Sequence, residues 1–295
     1  MRVALDAMGG DHAPAATVAG ALLAADAGLE VVLVGRPDAL TAELRRAGAD
    51  GRLAIVAADE VVGMHEDAVA VLRSKRTSSI RVAAELVASG QAQAMVSAGS
   101  TGATLAAALL ALGRLRGVRR PVLAVVLPTP AGDVVLADAG GSPDPQPETL
   151  VAYGRMATAY ARARGRLTPS VGLLNVGSEA GKGNVLVKRA FTLLDGSDGF
   201  VGNVEPTAVL AARVDVVITD GFTGNVFLKT LEAMAGGSGD TAGAAVLLGV
   251  AGEVLVAHGA ADASAVAAAL QTAASVAGAG LSRLVQQHLD GGGDP

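Results

Sequence analysis

Three glycine loops, each behind a short apolar run, hold the polar side chains best placed for chemistry. They are DAMGGDH (Asp6 to His12), GSEAGKGN (Gly177 to Asn184) and DGFTGN (Asp220 to Asn225). A glycine turn after a strand lets backbone N–H groups converge on an anion, and the next helix N-terminus adds its positive dipole end. With 39 glycines in 295 residues, chance loops are expected, so the Asp, His, Lys and Asn inside these three carry the weight. Gly9, Gly10, Asp11 and His12 follow the first strand, on the side where ligands bind in open α/β sheets. In the plain structural alternative Asp6 caps that loop and His12 hydrogen-bonds it. No metal is expected, because Asp11-His12 lacks a second ligand cluster at recognisable spacing.

In GKGN, Lys182 sits between Gly181 and Gly183 and before Asn184, so its ammonium can reach a ligand that the backbone approaches closely. The Walker spacing with Ser or Thr after the lysine is absent, so ATP use is unsupported. In DGFTGN, Asp220 ends a strand and Asn225 starts a helix, with Gly221, Thr223 and Gly224 between them. That gives one acceptor and one amide donor at one rim, and an amide donor suits a developing oxyanion. Two further segments offer hydroxyls at helix starts. RSKRTSSI (Arg73 to Ile80) sets cations before Ser78 and Ser79, which suits a phosphate or phosphopantetheine, or simple helix capping on a solvated surface. SAGSTG (Ser97 to Gly102) opens a helix with Ser100, Thr101 and Gly102, suited to a phosphate or oxyanion pocket, or again to capping.

The elements that must position these loops follow from hydrophobic periodicity. Short Val- and Leu-rich runs at Val3 to Leu5, Glu30 to Val34, Leu53 to Val56, Ala94 to Val96, Val122 to Val126, Val134 to Ala137, Val171 to Asn175 and Val214 to Thr219 read as strands. Helix-length segments lie between most of them: Ala15 to Ala27, Asp38 to Ala47, Ile80 to Ser89, Thr101 to Leu112, Glu148 to Arg164 and Val185 to Leu194. The alternation predicts an α/β fold, a mostly parallel sheet sandwiched by helices. A last helix from about Ser264 carries Val266, Leu270, Ala273, Ala277, Leu281 and Leu284 on one face. Residues 1–295 read as one α/β unit, or two lobes sharing a sheet, with a connector at 236–245 and a disordered tail at 290–295. Gly140 to Pro147, GGSPDPQP, is a stiff loop.

Composition narrows the partners. The hydrophobic fraction is 51% with 2% aromatic residues and no Trp, so the core is built from Ala, Val and Leu. A net charge of −5 gives no footprint for nucleic acid. No cysteine means no disulfide and no thiol nucleophile. The opening Met1-Arg2 leads straight into a strand and reads as no signal peptide, so a cytoplasmic protein is expected.

MRVALDAMGGDHAP closely resembles the opening of the PlsX family of bacterial phosphate acyltransferases. RSKRTSSIRVAAELV, MVSAGSTGATLAAALLALGRL, VGLLNVGSEAGKGN, GFVGNVE and VDVVITDGFTGNVFLKTLE are similar to later family segments, in the same order, and LLGVAGEVLVAHG to its C-terminal part. The resemblance implies a fold similar to isocitrate and isopropylmalate dehydrogenases, and acyl transfer from acyl carrier protein to inorganic phosphate for phospholipid synthesis, with no cofactor. It implies that Lys182 and backbone amides hold phosphate, that Asn225 stabilises the oxyanion, and that Asp220 or His12 orients or deprotonates phosphate. It also implies a homodimer and, in the family, a peripheral membrane contact. Three departures stand out: DAGGSPD (Asp138 to Asp144) where DVGANVD is usual, Pro206 in GNVEP where glycine is usual, and a connector, Ala235 to Ala245, in place of a long helical hairpin. Without that hairpin both dimer and membrane contact are expected to weaken. Two other readings stay open: a short-chain phosphotransacylase using coenzyme A thioesters, and a non-catalytic binder of carrier protein or phosphate. Arg73, Lys75, Arg76, Arg114, Arg116, Arg119 and Arg120 are the cations available to an acidic carrier protein.

Overall fold

A computed structural model describes residues 1–63, 66, 74–234 and 243–291, and divides the chain into two compact units. The first comprises residues 1–113 and 250–280, the second residues 114–249 and 281–295.

In the first unit the strands are β1 (Arg2–Asp6), β2 (Glu30–Gly35), β3 (Ala54–Ala57), β4 (Ala94–Ser97) and β11 (Glu253–Val256). They run in the order β3-β2-β1-β4-β11, every pair parallel. The helices are α1 (Ala15–Asp26), α2 (Pro37–Arg46), α3 (Ser79–Ala88), α4 (Thr101–Ala111) and α9 (Ala263–Ala279). α1 packs on α9 and α3 on α4, and α9 and α3 both rest on β1 and β4. The Ala-rich composition makes this close packing feasible: Val266 stands 2.6 Å from where a side chain on Gly20 of α1 would begin.

The second unit orders its strands β10-β5-β6-β9-β7-β8. These are β5 (Val122–Thr129), β6 (Gly132–Ala137), β7 (Val171–Leu174), β8 (Phe200–Val204), β9 (Val216–Ile218) and β10 (Ala245–Leu248). The pairs around β5 are antiparallel, while β6, β9, β7 and β8 are parallel. Its helices are α5 (Pro147–Ala163), α6 (Val185–Leu194), α7 (Pro206–Leu210), α8 (Gly221–Met234) and α10 (Leu281–Gly291). Tyr153, Met156 and Tyr160 of α5 are fully buried, so the two tyrosines sit where large area is removed from water.

The expected α/β fold, with a mostly parallel sheet flanked by helices, is the one observed. Two local readings need correction. The last helix does not run through Leu284 as one piece: Gly280 takes φ 64°, ψ 50° and ends α9, its N–H reaching back to Ala277 and Val276. This is a glycine-capped helix end, which the unbroken apolar periodicity concealed. Strand β8 was not anticipated, because FVGNV carries a glycine and an asparagine and shows little apolar alternation. Residues 236–242 of the connector and 292–295 of the tail lie outside the described residues, while α10 is helical through Gly291. No single helix among the described residues is long and apolar enough to cross a membrane.

Candidate functional site

In the first unit the DAMGGDH loop is organised by Asp6, which is 2% exposed at the end of β1. Its Oδ2 accepts the Ser97 hydroxyl at 2.7 Å, and its Oδ1 accepts the Met8 N–H at 3.3 Å. Burial pushes the Asp6 carboxyl above the usual carboxylate range, against the surrounding Ser79 and Ser97 hydroxyls and Met8 and Gly9 N–H groups, which favour its charged form. Gly9 is obligatory by space alone. A side chain there would begin 2.6 Å from Asp6 Oδ2 and 2.8 Å from the Gly99 nitrogen, so the DAMGGDH and SAGSTG loops meet backbone to backbone. Gly10 has φ 107°, and the Asp11 N–H donates to the Gly259 carbonyl at 2.7 Å.

The remaining candidates of this unit separate by burial. Asp11 and His12 are exposed, and neither side chain makes a hydrogen bond or ion pair among the described residues. Ser78 is the N-cap of α3, but its hydroxyl donates to the Lys75 carbonyl at 2.9 Å. Ser78 and Ser79 are both buried. Ser100 is the N-cap of α4 with no side-chain capping bond, and Thr101 and Gly102 open that helix with half-buried and exposed positions. Lys75 pairs with Glu66 at 2.7 Å, and Arg73 lies outside the described residues.

In the second unit the GSEAGKGN loop links β7 to α6. Lys182 is exposed and its ammonium makes no hydrogen bond or ion pair among the described residues, while its backbone N–H donates to the Glu179 carbonyl at 3.0 Å. Asn184 caps α6, accepting the Val187 N–H at 2.9 Å. Gly181 has open space around it. Gly183 has φ 92°, with Asn175 Oδ1 only 2.7 Å and Val187 Cγ1 2.9 Å from where a side chain would begin.

The DGFTGN loop is fixed by its own acid. Asp220 accepts the Thr223 N–H and the Thr223 hydroxyl, both at 2.8 Å, and so caps α8. Gly221 and Gly224 allow this loop to press on the one after β6. Their side chains would begin 2.8 Å from Asp138 Oδ2 and 1.9 Å from the Asp138 carbonyl oxygen. Asn225 does not start α8, which begins at Gly221: it lies in the second turn, against Gly140, half-buried, with its side-chain amide unpaired among the described residues.

Sequence reasoning left Asp138, Ser142, Tyr153, Asn175 and Asn203 without a role. Asp138 is fully buried and accepts the N–H groups of Leu123, Gly140, Gly141 and Ser142 at 3.3, 3.1, 2.9 and 2.7 Å. Burial pushes its carboxyl upward, opposed by those four amides. Ser142 accepts from Arg120 at 3.1 Å. The Tyr153 hydroxyl finds no hydrogen-bond partner among the described residues, and burial drives its pKa up to about 12. An acid opening a glycine- and proline-rich loop, and asparagines at strand ends, were the legible signals. Pro206 opens α7, where a missing N–H costs nothing. Arg114, Arg116, Arg119 and Arg120 share one segment, with Arg116 paired to Asp290 at 2.7 Å.

The family model described as "Fatty acid synthesis protein" matches residues 1–238. A phosphate acyltransferase of Thermus thermophilus is 45% identical over 324 aligned residues, covering 98% of each chain. That alignment is longer than the 295 residues of this chain, so the relative has positions with no counterpart here. A phosphate acyltransferase of Heliobacterium modesticaldum is 42% identical over 333 residues, covering 100% of this chain and 99% of its own. Among solved structures, a phosphotransacetylase from Streptococcus pyogenes aligns with a TM-score of 0.68 at 19% identity, over 94% of both chains. A 4-hydroxythreonine-4-phosphate dehydrogenase from Klebsiella pneumoniae aligns at 0.58 and 17%, over 94% of this chain and 98% of its own. These structures share the fold. The alignments to the sequence relatives span nearly the whole chain, and this protein therefore belongs to the PlsX family of phosphate acyltransferases, an enzyme family.

Proposed function

We propose that this enzyme transfers the acyl group of a long-chain acyl-carrier-protein thioester to inorganic phosphate, and that the acyl phosphate feeds phospholipid synthesis. The observation that carries the reading is the unpaired Lys182 ammonium, held on a glycine loop beyond the C-terminal end of β7 in a member of this family. An ammonium with no protein anion to neutralise it is available to phosphate. Phosphate bears anionic oxygens at neutral pH, so it attacks the thioester carbonyl carbon without an activated serine or cysteine. The carbonyl electrons move onto oxygen, where the unpaired Asn225 amide donates a hydrogen bond. Collapse of the tetrahedral species breaks the C–S bond, and the thiolate leaves and is protonated. Asp220 spends both oxygens on Thr223, so its part is to shape the loop that presents Asn225.

The test is phosphate-dependent thiol release from a long-chain acyl carrier protein, with hydroxylamine trapping of the acyl phosphate. Lys182→Ala and Asn225→Ala should each lower kcat/KM on the order of 10²-fold. His12→Gln, in the same assay, tests the proton-handling role that the resemblance gives that imidazole. Turnover of coenzyme A thioesters with indifference to carrier protein would replace this reading by a short-chain phosphotransacylase. No turnover of either thioester by a folded sample would leave a binding protein.

A further inference from the structure

We infer that Asn175 and Asn203 are positioning residues that hold Lys182 in place from beneath its loop, an inference that rests on Lys182 being the phosphate ligand. Asn203 lies in β8 opposite Leu173 of β7, and Asn175 follows β7 two residues beyond Leu173. Side chains two residues apart share a face, so both amides lie on the same side of the strands. Asn175 is 8% exposed and Asn203 6%.

Each amide touches the chain on one side of Lys182. Asn203 Nδ2 donates to the Glu179 carbonyl at 2.9 Å, and that same carbonyl accepts the Lys182 N–H at 3.0 Å. One oxygen therefore joins the Asn203 side chain to the backbone of Lys182. On the other side, Asn175 Oδ1 accepts the Val176 N–H at 2.8 Å and lies 2.7 Å from where a side chain on Gly183 would begin. A loop whose one free cation must meet a small anion gains from being held at both flanks, because displacement by even an ångström weakens such a contact steeply.

The remaining atoms of the pair argue against a purely structural role. Asn175 Nδ2 and Asn203 Oδ1 are buried without a hydrogen-bond partner among the described residues. Burying an unpaired donor and an unpaired acceptor is unfavourable, and apolar side chains of similar size would fill the same space without that cost. What asparagine supplies, and an apolar residue does not, is the bond to the Glu179 carbonyl and the acceptor at Val176.

The experiment is a double-mutant cycle on the full chain, read as the dissociation constant for inorganic phosphate by calorimetry, with hydrogen exchange of residues 177–184 measured in parallel. Asn203→Ala should weaken phosphate binding about tenfold, the equivalent of one lost hydrogen bond. In a Lys182→Ala background the same substitution should change the constant by less than about twofold, because the group it positions is gone. Loop amides should exchange faster in Asn203→Ala, with those of α6 unchanged. If Lys182→Ala alone leaves phosphate binding intact, the reading of Lys182 fails. If Lys182→Ala weakens binding but Asn203→Ala retains its full effect in that background, or leaves loop exchange unchanged, the positioning role is overturned. Where Lys182→Ala removes measurable binding, loop exchange decides alone. Asn175→Ala runs the same comparison should Asn203→Ala not fold.

Discussion

Lys182 is flanked by two glycines with opposite requirements, so Gly183→Ala and Gly181→Ala form a matched pair. At Gly183 the φ of 92° is strained for any L side chain, and a Cβ would stand 2.7 Å from Asn175 Oδ1 and 2.9 Å from Val187 Cγ1. The left-handed backbone costs alanine about 1–2 kcal/mol, and forcing a methyl into filled space adds about 1–3 kcal/mol. Holding the native geometry would therefore cost roughly 2–5 kcal/mol. The loop relieves part of that by moving, and the residue that moves with it is Lys182. At Gly181 nothing lies within 4 Å of the new methyl and φ is outside the strained region. Gly181→Ala should change stability by no more than about 0.5 kcal/mol. The assay pairs urea unfolding with phosphate-dependent thiol release from acyl carrier protein. Gly183→Ala is expected to lower the unfolding midpoint and reduce kcat/KM on the order of 10²-fold, whereas Gly181→Ala leaves the midpoint in place. Equal midpoints for the two variants would refute the steric argument. A destabilised Gly183→Ala with wild-type kcat/KM would refute the link between loop geometry and Lys182.

Gly224→Ala places a methyl 1.9 Å from the Asp138 carbonyl oxygen, so it should destabilise by about 3 kcal/mol or more, and a wild-type melting temperature would contradict that close approach. Tyr153→Phe removes a buried hydroxyl that has no partner, so stability should hold or rise by about 1–2 kcal/mol; a clear loss in urea unfolding would show that the hydroxyl is satisfied after all. The buried Asp6 carboxyl has a folded pKa above its unfolded value of 3.8, so its contribution is fully present below that pH and is lost as pH rises through the folded pKa. The stability of wild type relative to Asp6→Asn should accordingly fall as pH rises above 3.8, and a flat difference would refute the burial effect. Asp262 caps α9 by accepting the Ala265 N–H at 2.8 Å, so Asp262→Ala should cost about 1 kcal/mol in thermal unfolding without altering turnover.

Most of the fold was legible because local signals agreed. The helix at Val185–Leu194 matches its expected span at both ends, since Asn184 caps its start and Asp195 turns extended after its end. The parallel strands read as short Val- and Leu-rich runs because both faces are covered, which removes any need for polar alternation. Strand β8 and the break at Gly280 escaped, because one carries a buried asparagine that only its neighbours explain, and the other is a single glycine inside an apolar period. Among the candidate residues, the sequence by itself determined which loops hold polar groups between glycines, and it could rank Lys182 and Asn225 because ammonium and amide suit anions wherever they lie. Which side chains stay free to meet a ligand was decided by tertiary structure. Ser78 and Asp220 offer the same chemistry in sequence as Ser100 or Asn225, yet their oxygens are spent on Lys75 and Thr223, three residues away at a helix start, and Ser79 is buried beside Asp6. Ser97 meets Asp6 across 91 residues, a contact that no local pattern specifies. The glycines divide the same way: composition shows their number, but only packing distinguishes Gly181, with open space, from Gly183, where Asn175 and Val187 side chains occupy the place of a side chain, and from Gly221 and Gly224, where backbone and the Asp138 carboxylate do.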